Sequence, residues 1–301
     1  MDERPLWGVD LGGTKIEGAI LDGIETGGAR HRLRLPTESA LGYRHVIGQI
    51  VRLCEQLEGA SGLRRPAVLG IGTPGVTDPS TGQLKNSNTT CLNGQRLGED
   101  LSQALGIEVR LANDANCFAL AEATLGAAKG RPVVVGLILG TGVGGGIVVD
   151  GRVLNGKHGI AGEWGHNPLR HESTPCYCGR TGCIETVISG PSLERFYAGV
   201  SGVGRRLPEI VRLAADNDSH ALATLARLRE KFGEAIAAVI NILDPDAIVI
   251  GGGVGNVDTL YAEETRREIL RHLFNPVLNT ELLRPKLGDS AGVFGAALLA
   301  R

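Results

Sequence analysis

The chain has 301 residues, 42% hydrophobic and 21% charged, a balance that fits two globular domains or one large α/β domain. With 31 basic and 33 acidic residues the formal net charge is −2, which leaves no basic footprint for nucleic acid or an anionic membrane. Glycine is the outlier at 45 residues, about twice the roughly 7% of average usage, so the glycines read as placed.

The opening Met1-Asp2-Glu3-Arg4-Pro5 is charged and polar, so no export signal is expected and the cytoplasm is the expected compartment. Residues 6–10 read as an apolar strand, 11–14 as a glycine turn and 16–21 as a second strand. Residues 40–57 follow as an amphipathic helix, and Ala67-Val-Leu-Gly-Ile-Gly-Thr-Pro-Gly75 as a strand running into a turn. A strand ending at Ala112 precedes a helix over 116–126. Residues 132–149 carry no charge, but six glycines and Gly140-Thr141-Gly142 at the centre make two strands and a turn there. A membrane span would need about 20 apolar residues. The long helix over 221–243 stops at Asp244-Pro245, a strand covers 248–250, 263–268 is a solvated helix face, and 293–301 is a short apolar helix. Alternating strands and helices argue for α/β layers.

The pattern repeats. Val9-Asp-Leu-Gly-Gly-Thr-Lys-Ile-Glu-Gly-Ala-Ile-Leu-Asp-Gly23 matches Leu137-Ile-Leu-Gly-Thr-Gly-Val-Gly-Gly-Gly-Ile-Val-Val-Asp-Gly151 at five of fifteen positions, at a constant offset of 128. Residues 67–75 are echoed in the same order by Ala247-Ile-Val-Ile-Gly-Gly-Gly-Val-Gly255. Two ordered echoes predict a duplicated α/β domain.

Glycine lets backbone N–H groups approach phosphate oxygens closely. Asp10-Leu-Gly-Gly-Thr14 offers Gly12 and Gly13, the Thr14 hydroxyl, Lys15 as a cation and Asp10 as an acid for Mg²⁺ through water. The second turn, with Thr141, Gly142 and Gly144-Gly145-Gly146, repeats this without charge. Each turn alone also reads as a tight hairpin; the pair in one duplicated frame favours phosphate clamping across a cleft. Neither fits a P-loop or a dinucleotide fingerprint. Gly251, Gly252 and Gly253 suit either the floor of a nucleotide site or a plain strand-to-loop turn.

Asn113 and Asp114 stand where a strand meets a helix, as an N-cap, as a general base at the mouth of a cleft, or as one of each. His166 with Cys176, Cys178 and Cys183 forms a compact Cys₃His set suited to closed, structural zinc, the other reading being a reduced thiol cluster. Glu163 and Glu185 flank it as acceptors for sugar hydroxyls or as surface charges. Cys54, Cys91 and Cys117 read as buried thiols.

These motifs, with Gly72-Thr-Pro-Gly75, Glu163-x-Gly-His166 and Cys176-x-Cys-Gly-x-x-Gly-Cys-x-Glu185, resemble the ROK (repressor, open reading frame, kinase) family of sugar kinases in the actin-like ATPase superfamily. Asn86-Ser-Asn-Thr-Thr-Cys-Leu-Asn-Gly94 and Gly165-His-Asn-Pro-Leu169 are similar to its bacterial fructokinase/mannokinase branch, with N-acetylglucosamine kinases next. The resemblance implies a duplicated ribonuclease H-like α/β fold with two domains flanking a central cleft, 1–113 plus 290–301 and 114–289, the latter carrying a zinc loop over 163–185. It implies an ATP- and Mg²⁺-dependent hexose 6-kinase with fructose as the first expected substrate and mannose, glucose or N-acetylglucosamine behind it. Asp114 would be the base, Asn88, Asn113, Glu163, His166 and Glu185 would surround the sugar, and Gly12, Gly13, Thr14, Thr141 and Gly142 the phosphates. The metal would sit on His166, Cys176, Cys178 and Cys183, and the protein would be a homodimer. Cys91 departs from the tryptophan often found at this position in close relatives. Some relatives are sugar-sensing repressors, which need a helix-turn-helix ahead of the sugar domain; with nine residues before Asp10, none is expected here.

Overall fold

The computed structural model describes residues 4–23 and 28–301. Met1, Asp2 and Glu3 of the opening segment lie outside the described residues, as does Gly27. The strands are β1 (Leu6–Leu11), β2 (Lys15–Leu21), β3 (Ala29–Pro36), β4 (Val68–Thr73), β5 (Val76–Thr77), β6 (Leu84–Lys85), β7 (Glu108–Asn113), β8 (Val133–Leu139), β9 (Val143–Val149), β10 (Arg152–Val153), β11 (Ala247–Gly251) and β12 (Glu281–Leu283). The helices are α1 (Tyr43–Ser61), α2 (Leu97–Leu105), α3 (Asp114–Thr124), α4 (Glu185–Ile188), α5 (Gly190–Ser201), α6 (Leu207–Ala215), α7 (Ser219–Leu243), α8 (Gly252–Gly255), α9 (Glu263–Leu270) and α10 (Ala291–Leu298). Among the described residues no helix is long and apolar enough to cross a membrane.

The repeat read in the sequence is a repeat of topology. One five-stranded sheet runs β3-β2-β1-β4-β7 and the other β10-β9-β8-β11-β12, the same order counted from each opening strand. In the first, β1 pairs antiparallel with β2 and parallel with β4, which pairs parallel with β7. In the second, β11 lies parallel between β8 and β12. The echoed segments 67–75 and 247–255 thus supply the fourth strand of each sheet.

Two compact units result: residues 1–130, 146–161 and 286–301, and residues 131–145 and 162–285. The first core is built from Trp7, Val9, Ile16, Ile50, Leu53, Leu69 and their neighbours on α1 and α2. The second packs Leu137, Ile188, Leu228, Phe232, Ile236 and Ile250. The division differs from the one expected at 113/114 and 289/290, because α3 stays in the first unit. Gly295 of α10 lies so close to α3 that a Cβ there would stand 1.8 Å from the Cys117 carbonyl oxygen. At the far end of α3 the fully buried Glu122 carboxylate accepts N–H bonds from Ala127 (2.7 Å), Lys286 (3.0 Å) and Leu287 (2.9 Å), tying the segment before α10 to the same unit.

Two helix starts move for a reason of capping. The helix expected over 116–126 begins at Asp114 because the Asn113 side chain accepts the Asn116 N–H at 2.8 Å. Asp218 likewise starts α7 ahead of residue 221 by accepting the Ala221 N–H at 2.7 Å. Expected as a solvated face, α9 buries Thr265 and Ile269, and Cys91 is only half-buried at the edge of the first core.

Glycines 8, 70 and 295 let α10 sit directly on β1, β4 and α3: at Gly70 a Cβ would stand 1.8 Å from the Ala296 carbonyl oxygen. Gly295→Ala is therefore expected to cost about 3 kcal/mol or more of stability, the upper end of overpacking or beyond. Gly48→Ala in α1, where a Cβ meets nothing within 4 Å, is expected to gain about 0.5–1 kcal/mol. Urea midpoints of the two variants check both signs.

Candidate active site

In the first unit the chemistry gathers where strands end. Asp10, near the end of β1, faces Glu17 across the hairpin and Gly72 on β4. Its carboxylate is hemmed in by glycines: a Cβ at Gly292 would stand 2.9 Å from Oδ2, and one at Gly72 3.5 Å from Oδ1. Burial, followed by the negative charges of Asp114 and Glu17, pushes the Asp10 carboxyl up to about 6, against the pull of Lys15 and Arg32. Glu17 is buried too, which by itself raises its pKa. Hydrogen bonds from Arg32 and Arg34 (Nε to Oε2, 2.5 Å) outweigh that burial and hold it below the usual range.

Asp114 is the first residue of α3. Asn113 takes the cap, and Asp114 Oδ1 accepts its neighbour's N–H, that of Ala115, at 2.8 Å. Solvent reaches the Asp114 side chain, yet the protein packed around it raises its pKa, with burial the first cause and the backbone N–H bonds of Ala115 and of Asp114 itself opposing. One turn on, the fully buried Cys117 thiol is pushed up by burial and by Asp10 and Asp114. Two carboxylates that resist ionising, one of them open to solvent, can hold a divalent cation or take a proton from a hydroxyl.

Ionising Asp10 costs stability, because its folded pKa of about 6 lies above the ordinary 3.8. The cost is absent below the ordinary value, grows as pH rises between the two, and is fully present above pH 6. Asp10→Asn is therefore expected to melt higher than the parent above pH 6, with the gap closing toward pH 3.8. Thermal scans across that range check it.

Both glycine turns hold themselves by similar bonds. In the first, the Gly12 N–H donates to Lys15 O (3.0 Å), and Thr37 donates its N–H to Thr14 O (3.0 Å) and its hydroxyl to Gly12 O (2.7 Å). In the second, the Gly140 N–H donates to Gly142 O and the Gly190 N–H to Gly140 O, each at 2.9 Å. Glu185, the first residue of α4, accepts the Val143 N–H at 2.9 Å. This leaves the amides of Gly13 and Thr14, and of Thr141 and Gly142, without a backbone partner among the described residues. They are the same pair at the offset of 128, and adjacent unclaimed amides are an anion-binding device.

Other glycines of these turns and of the expected nucleotide floor also meet close packing neighbours. A Cβ at Gly146 would stand 2.6 Å from Ala115 O, one at Gly145 2.6 Å from Gly162 O, and one at Gly252 (φ +82) 2.3 Å from Leu139 O. Gly251 ends β11, and Gly253 has open space around it.

Asn88 is exposed on a loop that fixes itself. Asn93 accepts the Ser87 N–H at 2.9 Å and donates to Ser87 O at 3.0 Å. Sequence reasoning missed this clamp. It also missed three buried polar atoms left without partners beside predicted residues: Thr89 Oγ1 next to Asn88, Asn116 Oδ1 in α3, and Trp164 Nε1 next to Glu163. Buried polar atoms rarely stay unpaired, so each is a place where water or a ligand can bond. A run of polar residues does not reveal which of them go unpaired.

In the second unit Glu163 opens a 3₁₀ turn over Trp164–His166. Residues 176–183 fold into a knuckle whose Gly179 (φ +85) and Gly182 (φ +69) take left-handed conformations. The ligand atoms of His166, Cys176, Cys178 and Cys183 all lie within 4.8 Å of one another. His166 Nδ1 is 3.6 Å from Cys176 Sγ, and Cys178 Sγ is 3.6 Å from Cys183 Sγ. Zn–S bonds of about 2.3 Å in a tetrahedron require edges of about 3.8 Å, so the donor set fits zinc in both chemistry and size. With Nδ1 in that cluster, His166 turns Nε2 outward, 3.1 Å from the Tyr177 hydroxyl and 4.0 Å from Glu163 Oε2. Tyr177 is exposed as a residue, yet the protein packed beside its hydroxyl, then Glu185 and Glu163, push the phenol up to about 12.

The model of the ROK family matches residues 6–301. The chain belongs to the ROK family. Its duplicated sheets are the actin-like ATPase fold of that family's structures. A ROK hexokinase from Thermus thermophilus is 34% identical with a TM-score of 0.87, covering 99% of this chain and 98% of its own. A ROK glucokinase from Streptomyces griseus, in complex with glucose and AMPPNP, is 29% identical with a TM-score of 0.75, covering 99% of both chains. An N-acetyl-D-glucosamine kinase of Aliivibrio fischeri is 36% identical over 304 residues, covering 97% of this chain and 98% of its own. Among ROK proteins the matches thus include amino-sugar and glucose kinases, and the fructokinase/mannokinase branch stays an expectation of the sequence.

Proposed function

We propose that this protein is an ATP-dependent kinase that transfers the γ-phosphoryl group to the 6-hydroxyl of a hexose, working as a cytoplasmic homodimer. The observation that carries the reading is Asp114: it is open to solvent at the start of α3, freed from capping by Asn113, and raised in pKa beside Asp10. Asp114 accepts the hydroxyl proton as the sugar oxygen attacks phosphorus and ADP leaves. Its Oδ1 is engaged by Ala115, so Oδ2 is the atom for that proton. The unclaimed amides of Gly13, Thr14, Thr141 and Gly142 bind phosphate oxygens, with Lys15 as an added cation. Gly251, Gly252 and Gly253 floor the nucleotide. Asp10 would hold Mg²⁺ through water, and the ion supplies charge neutralisation on the phosphates. Asn88, Asn113, Glu163, His166 and Glu185 bind the sugar.

Zinc on His166, Cys176, Cys178 and Cys183 would have a structural role, since four protein ligands close the site. The knuckle fixes Glu163 and Glu185 at either end of one loop.

N-acetyl-D-glucosamine is the first substrate to test, supported by the similarity to kinases of that sugar. D-Fructose, the expectation of the sequence motifs, comes next. An ADP-release assay across N-acetyl-D-glucosamine, glucose, mannose and fructose tests the reading. The expected result is sugar-dependent ADP release with the highest kcat/KM for N-acetyl-D-glucosamine. ADP release that no hexose stimulates rejects the reading, and a lead for fructose restores the order of the sequence.

A further inference from the structure

We propose that Cys178 and Cys183 form an oxidant-sensitive pair, a modification site at which a hydroperoxide closes a disulfide and the metal is released. The release rests on the zinc reading of the cluster, whereas the disulfide rests on the residues alone. Of the six cysteines Cys178 alone is exposed; Cys54, Cys117, Cys176 and Cys183 are buried and Cys91 is half-buried. The Cys178 sulfur lies 3.6 Å from Cys183 Sγ, whereas Cys176 Sγ faces His166 Nδ1 at the same distance. An exposed thiolate with a second cysteine beside it is the arrangement of a redox-sensing site.

The reaction balances on these two sulfurs. Cysteine binds zinc as thiolate, which is also its nucleophilic form. The Cys178 sulfur attacks one oxygen of hydrogen peroxide, the O–O bond breaks, and hydroxide departs to leave a sulfenic acid on Cys178. The Cys183 thiolate then attacks that sulfur, the S–O bond breaks, and a second hydroxide departs as the disulfide forms. The two thiolates have lost the two electrons that the peroxide has gained, and two protons from solvent turn the hydroxides into water. Closing 3.6 Å to the length of a disulfide needs about 1.5 Å of movement. Gly179 gives the backbone room for it: it follows Cys178 directly, takes a left-handed conformation (φ +85), and a Cβ there would meet nothing within 4 Å. Once Cys178 and Cys183 are spent on each other, only His166 and Cys176 of the closed set are left for the ion. Its loss frees the loop that carries Glu163 and Glu185, so on the kinase reading the same oxidation stops sugar phosphorylation.

The test treats the parent protein with excess hydrogen peroxide while a colorimetric chelator follows zinc, and peptide mass mapping after alkylation of free thiols locates any disulfide. The expected result is about one zinc released for about two thiols lost per chain, with the disulfide mapped to Cys178 and Cys183 and with Cys54 and Cys117 still free. Dithiothreitol with added zinc is expected to reverse both changes, and Cys91→Ser to respond as the parent does. A disulfide through any other pair, Cys178 oxidised without a disulfide, a knuckle still reduced after treatment, zinc retained once the disulfide has formed, or a response lost in Cys91→Ser overturns the proposal. If the purified protein carries no zinc, the zinc reading fails on its own. The peptide map then decides: a Cys178–Cys183 disulfide upholds the pair, and any other result ends it. If no hexose is phosphorylated, the kinase reading fails separately, since neither the released zinc nor the map depends on it.

Discussion

Asp114→Asn is expected to lower kcat by about 10²–10⁴-fold while leaving sugar affinity nearly unchanged, the range for loss of a positioned general base. Asparagine has the same shape and can still accept the Ala115 N–H that Asp114 Oδ1 now accepts. What it loses is a basic oxygen beside Asp10. Because burial works against the Asp114 charge, removing that charge should not lower the melting temperature. Loss of turnover with unchanged stability and sugar binding therefore assigns the effect to chemistry. Near-normal turnover in the variant would remove Asp114 from the reaction, and lost sugar binding would make it a binding residue. Relieving the Asp114 charge also removes one of the groups that raise Asp10, so the acid limb of any residual rate is expected to move to lower pH.

Cys178→Ser is the second large effect. The knuckle, 176–183, adds no side chain to the apolar core of its unit; the loop around it is anchored there by Trp164, Leu169 and Ile184 and by Glu172, which meets Arg227 at 2.8 Å and Lys231 at 3.5 Å. A closed Cys₃His site supplies folding energy directly, so losing one thiolate should release both the metal and the loop. The expected outcome is loss of bound zinc by metal analysis, protease cleavage within 163–185, and a fall of about 10-fold or more in kcat/KM as Glu163 and Glu185 lose their fixed positions. Cys91→Ser, outside the knuckle, should keep the metal and the loop. Fully active Cys178→Ser, or active parent protein without zinc, would contradict the structural role.

The duplication was legible because each half spends the same residues on the same turn. Leu11 and Leu139, Gly12 and Gly140, and Gly18 and Gly146 match at one offset, and the sheets follow one strand order. The Cys₃His set was legible because three cysteines and two glycines in eight residues have few other uses. Glycines were harder to read, since a glycine letter does not distinguish an open amide from a close approach. Gly13 belongs to a turn with unclaimed amides, whereas Gly146 and Gly252 are required by neighbouring backbone. The unit boundary was missed for a related reason. Nothing in the sequence marks Glu122, and only the fold shows that it binds the amides of residues 127, 286 and 287.

The proposed reaction moves a phosphoryl group from ATP to a hexose with Asp114 as base. The most direct test follows phosphorus NMR spectra of ATP and N-acetyl-D-glucosamine incubated with the parent protein and with Asp114→Asn. The expected result is ADP and sugar 6-phosphate formed in equal amounts by the parent and almost none by the variant. ATP consumed without a sugar phosphate, or the same product from both proteins at the same rate, would contradict it.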